Sequence, residues 1–171
     1  VGYMGYDAVR RLEKLPSIAP DELNLPEIAF MLTTDLAVYD HLQGTVILIA
    51  NAINWDGSNE RVDQAYDAAI ERLEKMKQRL TMNSASSIAL ISEKPKPIFD
   101  RNMNDNDFLA KVESVKSEIK SGEAFQVVLS QRFTLDCSAD SLDVYRMLRL
   151  HNPSPYMYLF RFEDGIEVVG S

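Results

Sequence analysis

The sequence predicts a fold that mixes helices with antiparallel strand pairs, on three observations. Apolar residues recur every three or four positions over residues 60–80, which is typical of one face of a helix. Two apolar runs, 29–41 and 44–53, are separated by Leu42-Gln43-Gly44, and this spacing predicts a hairpin. A second pair of runs flanks Asp164-Gly165, a dipeptide typical of tight hairpin turns.

In chain order, the first predicted element is a short helix from Asp7 to Leu15, closed by Pro16. A proline-rich surface connection leads from it to the first hairpin. The helix over 60–80 then presents one apolar stripe, and we interpret its charged residues as a solvated face. Residues 81–107 are polar and contain prolines, and they predict a linker or domain boundary. The stripe comprises Val62, Ala65, Ala69, Leu73, Met76 and Leu80.

The second half repeats this alternation of helix and strand. A helix over 104–122 is predicted from its Asn and acidic caps, the stripe Phe108, Val112, Val115 and Ile119, and Gly122 at its end. Residues 124–136 alternate as a strand does. A helix from Ser141 to Leu150 follows, and the last hairpin closes the chain.

Composition excludes several classes of partner. The 171 residues are 46% hydrophobic and 26% charged, with a net charge of −8, so we expect neither nucleic acid nor an anionic membrane as a partner. The longest apolar run, Val46 to Ala50, is too short to span a bilayer. One cysteine, Cys137, cannot form an internal disulfide, and we expect a reducing, cytoplasmic location.

The two ends predict an internal piece of a longer protein. The chain starts at Val1 without an initiator Met, and it stops at Gly170-Ser171, directly after the apolar run 166–169.

Metal-binding and nucleotide-binding motifs are absent from the sequence. The two histidines are far apart, and a lone cysteine cannot build a thiolate site. Asp100, Asn102 and Asn104 have the spacing of a calcium loop, but Asp105 stands where that loop requires glycine. No glycine-rich phosphate loop or nucleophile elbow is present.

Two segments have the composition of a binding site. Gln126, Ser130 and Arg132 share one face of the predicted strand. This face is either exposed to solvent or part of a site in which the polar groups need hydrogen-bond partners. At 152–158, two prolines stiffen the backbone directly before Tyr156, Met157 and Tyr158. This corner is either ordinary helix-to-strand punctuation or a preorganised site, and the pattern alone does not decide between them.

Three quoted segments together resemble the large subunit, component I, of anthranilate synthase, among the chorismate-utilising enzymes. They are "GYMGYDAVRRLEKLP", "GEAFQVVLSQRF" and "NPSPYMYLFRF" followed by "VVGS". The resemblance covers essentially all 171 residues, which correspond to the middle of the family's longer chain. It implies a partial α+β fold in which antiparallel sheets pack together with flanking helices. Residues 1–97 would be the remainder of the N-terminal, regulatory domain, and residues 98–171 the start of the catalytic domain.

The activity that this resemblance implies is a lyase reaction of tryptophan biosynthesis. The full enzyme converts chorismate to anthranilate and pyruvate with Mg²⁺, and a glutamine amidotransferase subunit supplies the ammonia. The later magnesium carboxylates and catalytic residues of the family fall outside this chain, so we expect the chain alone to be inactive. Two alternatives are aminodeoxychorismate synthase component I, which adds the amine at another carbon, and a non-catalytic module that senses an aromatic amino acid.

The same resemblance assigns site residues. Gln126 stands where isochorismate- and salicylate-forming relatives carry a lysine that activates water, and an amide cannot serve as that base. The corner matches the family's site for tryptophan, the feedback inhibitor, and the N-terminal half of that site lies outside this chain. Its residues here are Asn152, Pro155, Tyr156, Met157, Tyr158 and Gly170.

Overall fold

The computed structural model describes residues 1–16, 20–83 and 96–171. These residues form two compact units. The first contains residues 1–16, 20–83 and Phe160–Glu167, and the second contains residues 96–159 and Val168–Ser171. Helices and two-stranded sheets with antiparallel pairing occur along the chain, which confirms the α+β class.

The first sheet joins two segments that are distant in the sequence. Strand β1 (Gly2–Met4) pairs antiparallel with β2 (Ile28–Phe30). Between them, Tyr6–Arg11 forms a 3-10 helix, so the predicted helix from Asp7 to Leu15 is wrong in type and extent. The reason is local, because the Leu12 N–H donates to the Val9 carbonyl three residues back, at 2.9 Å, as in a 3-10 turn.

The first predicted hairpin is confirmed. Strands β3 (Asp35–Asp40) and β4 (Thr45–Ala50) pair antiparallel, with Asp40 opposite Thr45. Gly44 adopts a φ of 66°, which glycine tolerates without strain. The Asp40 carboxylate accepts the Leu42 N–H at 2.8 Å and closes the turn. The apolar run over 29–41, however, supplies two strands in two different sheets rather than one.

Helix α1 (Val62–Thr81) packs against β3 and β4, and this layer contains the best-covered residues of the first unit. Ala69 is the one fully buried hydrophobic residue among those that the structure describes. Ala65, Leu73 and Met76 are half-buried, so the central part of the predicted stripe does face the sheet. Val62 and Leu80, at the two ends of the stripe, are 48% and 56% exposed.

Helix α2 (Asp105–Ser121) is confirmed together with both predicted caps. The Asn104 side chain accepts the Asp107 N–H at 2.9 Å, and Gly122 ends the helix with a φ of 88°. Phe108, Val112 and Val115 are half-buried along its stripe.

The strand predicted over 124–136 is confirmed only at Phe133–Thr134. This short strand, β6, pairs antiparallel with β5 (Asp100–Arg101), and no other ladder is assigned to 124–136 within the described residues. Phe125 and Val128 remain 103% and 81% exposed. Alternating apolar and polar residues predict which side chains share a face. A strand also needs hydrogen bonds to a neighbouring strand, and the alternation does not indicate which segment supplies them.

The last helix and hairpin are confirmed. Helix α3 (Ser141–His151) begins after Asp140, whose side chain accepts the Leu142 N–H at 2.8 Å. Strands β7 (Tyr158–Arg161) and β8 (Glu167–Gly170) form a hairpin that turns at Gly165, with a φ of 85°. Part of the linker predicted over 81–107, residues 84–95, lies outside the described residues, and the remainder contains β5 and the start of α2. The functional division into 1–97 and 98–171 stays a prediction.

Candidate functional site

The corner begins where α3 ends. Asn152 caps the helix with non-helical backbone angles, φ −140° and ψ 64°, and its N–H donates to the Leu148 carbonyl at 2.8 Å. Pro153 follows directly, and proline disfavours helical angles in the residue before it. The helix therefore stops at His151 for a local reason, and the chain leaves it in a fixed direction.

A hydrogen bond ties the end of β8 to this corner. The Ser171 hydroxyl donates to the Asn152 carbonyl at 2.7 Å, across 19 residues of sequence. The carbonyl belongs to the residue that caps α3, so the bond fixes the position of the helix end relative to the last strand.

Tyr158 and Gly170 are in direct contact. A Cβ placed on Gly170 would overlap Cζ and the hydroxyl oxygen of Tyr158, closer than real Cβ atoms approach a neighbour. The phenol ring therefore lies on the bare backbone of Gly170, and any side chain at 170 must displace it. The structure thus brings Asn152, Tyr158 and Gly170, three of the predicted site residues, to one place.

The other predicted corner residues differ in their exposure. Tyr156 is 85% exposed, and Pro155 is also exposed, whereas Met157 is half-buried. The Tyr156 N–H donates to the Ser154 hydroxyl at 3.3 Å, a bond that holds the short connection between the prolines and β7. The corner therefore presents an aromatic and a thioether side chain on a backbone that is fixed at both ends.

Gln126 lies apart from these contacts. It is exposed in the segment before β6, and its amide makes no hydrogen bond within the part of the chain that the structure describes. The polar contacts of this segment come from its neighbours, because the Gln131 amide donates to the Met103 carbonyl at 2.6 Å and the Arg132 N–H donates to the Asn102 side chain at 3.0 Å. The structure does not join Gln126 to the corner by any hydrogen bond among the described residues.

A cleft of about 420 Å³ in the first unit was not predicted from the sequence. It lies between the segment that follows β4 and one face of α1. The sequence signals for it are the chain's one tryptophan, Trp55, and the small residues Ala65 and Ala68 on one side of α1. The lining comprises Thr34, Asn51, Ile53, Asn54, Trp55, Asp56, Arg61, Gln64, Ala65, Ala68 and Arg72.

Charged groups in this cleft are held by defined contacts. Arg72 donates to the Asp35 carboxylate at 2.9 Å and to the Asn51 carbonyl at 2.7 Å. The Asp56 carboxylate accepts the N–H and the hydroxyl of Ser58, at 3.0 and 2.8 Å, and these two bonds lower the pKa of Asp56. Arg61 lies 3.2 Å from the other oxygen of Asp56. Asp56 is therefore ionised at neutral pH.

Comparison with known proteins identifies the family. A family model described as "chorismate binding enzyme" matches residues 1–171, the whole chain. The chain belongs to the chorismate binding enzymes. The resemblance to component I of anthranilate synthase that the three sequence segments indicate is confirmed by this match and by the relatives below.

The similar proteins are named component 1, or component I, of anthranilate synthase. Anthranilate synthase component 1 of Mycolicibacterium smegmatis is 48% identical over 176 residues, which cover 100% of this chain and 33% of that protein. The Arthrobacter globiformis protein of the same name is 43% identical and is covered over 34% of its length. The crystal structure of anthranilate synthase component I from Streptococcus pneumoniae TIGR4 superposes with a TM-score of 0.75 at 27% identity, over 96% of this chain and 36% of that one. The chain spans about a third of the length of these relatives.

The described residues of this chorismate binding enzyme contain no cluster of metal-ligating side chains. Among them, no group of three or more His, Cys, Asp or Glu side chains is placed to hold a metal ion. The Mg²⁺ ligands that the family resemblance places outside this chain stay a prediction. No helix among the described residues has the length and apolar character needed to cross a membrane.

Proposed function

We propose that the full-length protein carrying this chain is the large subunit of an anthranilate synthase. The observation that carries this proposal is the 48% identity to anthranilate synthase component 1 over the whole chain. In the proposed lyase reaction, ammonia adds to chorismate, and loss of water and pyruvate leaves the aromatic ring of anthranilate. The later catalytic residues and magnesium carboxylates of the family are expected outside this chain, so the chain alone should be inactive.

The proposed ammonia source is a glutamine amidotransferase subunit. The relatives are named component 1 or component I, and such a name implies a second component. The name therefore supports the proposed partner. Within the described chain, Gln126 supports ammonia rather than water as the nucleophile, because an amide cannot remove a proton from water near neutral pH. Gln126 is therefore the one residue of this chain to which we assign a catalytic role.

The proposed regulatory site is the corner, which would bind tryptophan as the feedback inhibitor. Support comes from its backbone, which two prolines stiffen directly before the exposed Tyr156 and the half-buried Met157. Aromatic and thioether groups are favourable neighbours for an indole. An inhibitor that binds here must act through the surrounding structure, because Gln126 is not hydrogen-bonded to the corner within the described residues.

Enzyme assays test the proposal directly. The full-length protein should form fluorescent anthranilate from chorismate with ammonium and Mg²⁺, and should accept glutamine only when the amidotransferase subunit is added. EDTA should abolish both reactions, and the 171-residue chain alone should show neither. An amine product that is not anthranilate would instead support the aminodeoxychorismate alternative, and no turnover of chorismate would support the sensing module.

A further inference from the structure

One guanidinium group in the cleft beside α1 keeps free donors. Of the two arginines in its lining, Arg72 is paired with Asp35 at 2.9 Å, whereas Arg61 contacts its carboxylate partner through a single nitrogen. Arg61 is 70% exposed, and only its Nε faces the Asp56 carboxylate. Its two terminal nitrogens make no hydrogen bond within the described residues, so they can donate to an anion.

One side of the cleft is apolar, and the rest of the lining includes hydroxyl and amide side chains. Ala65 and Ala68 lie three residues apart on α1, and their small side chains leave space above the helix. Trp55 lines the same space and is 78% exposed, and Ile53 adds a further apolar wall. A volume of about 420 Å³ is at the lower end of the range for small-molecule sites and suits a molecule of one or two rings.

Other anions fit this cleft less well. Many phosphate sites use several backbone N–H groups, but here Ser58 already donates both its N–H and its hydroxyl to Asp56. The Asp56 carboxylate lines the same cleft and would repel a dianion more strongly than a monoanion. A single carboxylate attached to a planar ring suits both the free nitrogens of Arg61 and the apolar side of the cleft.

We propose that this cleft is a binding site for a small aromatic monocarboxylate. The ring lies between Trp55 and the surface formed by Ala65 and Ala68, and the carboxylate accepts hydrogen bonds from Arg61. The site lies in the first unit, whereas the corner residues lie in the second. The proposal does not rest on the proposed enzyme activity, because it uses only the lining of the cleft.

Three probes separate the contributions of ring and charge. Benzoate carries both features, benzyl alcohol carries the ring alone, and acetate carries the charge alone. Titrated into the full-length protein and followed by calorimetry and by the NMR signal of the Trp55 indole N–H, benzoate should bind and shift that signal. The other two should bind about tenfold more weakly or worse, equivalent to about 1.4 kcal/mol. Equal binding of all three probes, or no shift of Trp55 with benzoate, would overturn the proposal.

Variants locate the bound benzoate. Arg61→Gln should weaken its binding about tenfold, because it removes the charge while leaving the exposed position folded. Ala68→Leu should block binding by filling the space above α1. Arg79→Gln, on the last turn of the same helix and outside the cleft lining, is the matched control and should bind as the wild type does. Wild-type binding by Arg61→Gln would show that benzoate is held elsewhere and would overturn the assignment.

Discussion

At the residue scale, Met157 is the corner side chain with most to contribute to an apolar ligand. It is half-buried beside the exposed Tyr156, and the proline-rich connection before it limits how far it can move. A thioether makes favourable contacts with an aromatic ring, and the stiff backbone that carries it needs no further ordering when the ring binds. Its contribution should therefore appear in inhibitor affinity and not in the rate of the reaction.

We predict that Met157→Thr in the full-length enzyme raises the tryptophan concentration for half-inhibition about tenfold. The physical reason is the loss of an apolar contact worth about 1.4 kcal/mol, while turnover stays near the wild-type value. Inhibition curves of anthranilate formation provide the measurement. Met103→Thr, at another half-buried methionine before α2, is the control and should leave inhibition unchanged. Unaltered inhibition in Met157→Thr would show that the corner is only a structural connection and does not bind the inhibitor.

At the element scale, helix α2 shows how much local residues determine a helix. Its first turn is stabilised by the Asn104 cap, and its last turn by Gly122 in the left-handed region. Neither feature requires a distant part of the chain, so both could be predicted from the sequence.

Asn104→Ala should destabilise the first turn of α2 by about 1 kcal/mol, because the Asp107 N–H loses its acceptor. Amide hydrogen exchange in the full-length protein should show about fivefold faster exchange there, and the middle of the helix should change less. Lys111→Gln, at an exposed position of the same helix, should have no effect. Equal exchange in Asn104→Ala and wild type would mean that packing, and not the cap, holds this turn.

Elements that depend on distant partners could not be predicted in the same way. The hairpin β3–β4 was predictable because its turn and both strands are adjacent in sequence. Strand β1, in contrast, pairs with β2 across more than 20 intervening residues. For 124–132 the predicted strand is not present among the described residues, because alternation contains no information on the neighbouring strand that a ladder requires. The corner was recognised by resemblance, while the contacts Tyr158–Gly170 and Ser171–Asn152 required coordinates.

At the scale of the whole molecule, the apolar surface is only partly covered. One face of the β3–β4 hairpin carries Leu36, Val38, Ile47 and Ile49, which are paired across the strands and are 37–51% exposed. Phe125 is fully exposed, and Ala69 is the one fully buried hydrophobic residue in the described ranges. Folded domains of this size normally cover most such side chains, so this surface gives little cooperative stability by itself.

We therefore expect the isolated 171-residue chain to unfold over a broad temperature range and to bind the dye ANS at neutral pH. In the full-length protein the same segments should unfold cooperatively without binding the dye. Near-ultraviolet circular dichroism and dye fluorescence of the two proteins make the comparison. A sharp, two-state transition of the isolated chain without dye binding would contradict this expectation.

The contact between Tyr158 and Gly170 has a genetic consequence. Every amino acid other than glycine carries a Cβ, so each missense change at codon 170 forces the phenol ring away from its place. At codon 157 the outcome depends on the size and polarity of the new side chain. A random screen for altered feedback control would therefore return many different replacements at 170 and a narrower set at 157, so the diversity of alleles would itself distinguish a backbone contact from a side-chain contact.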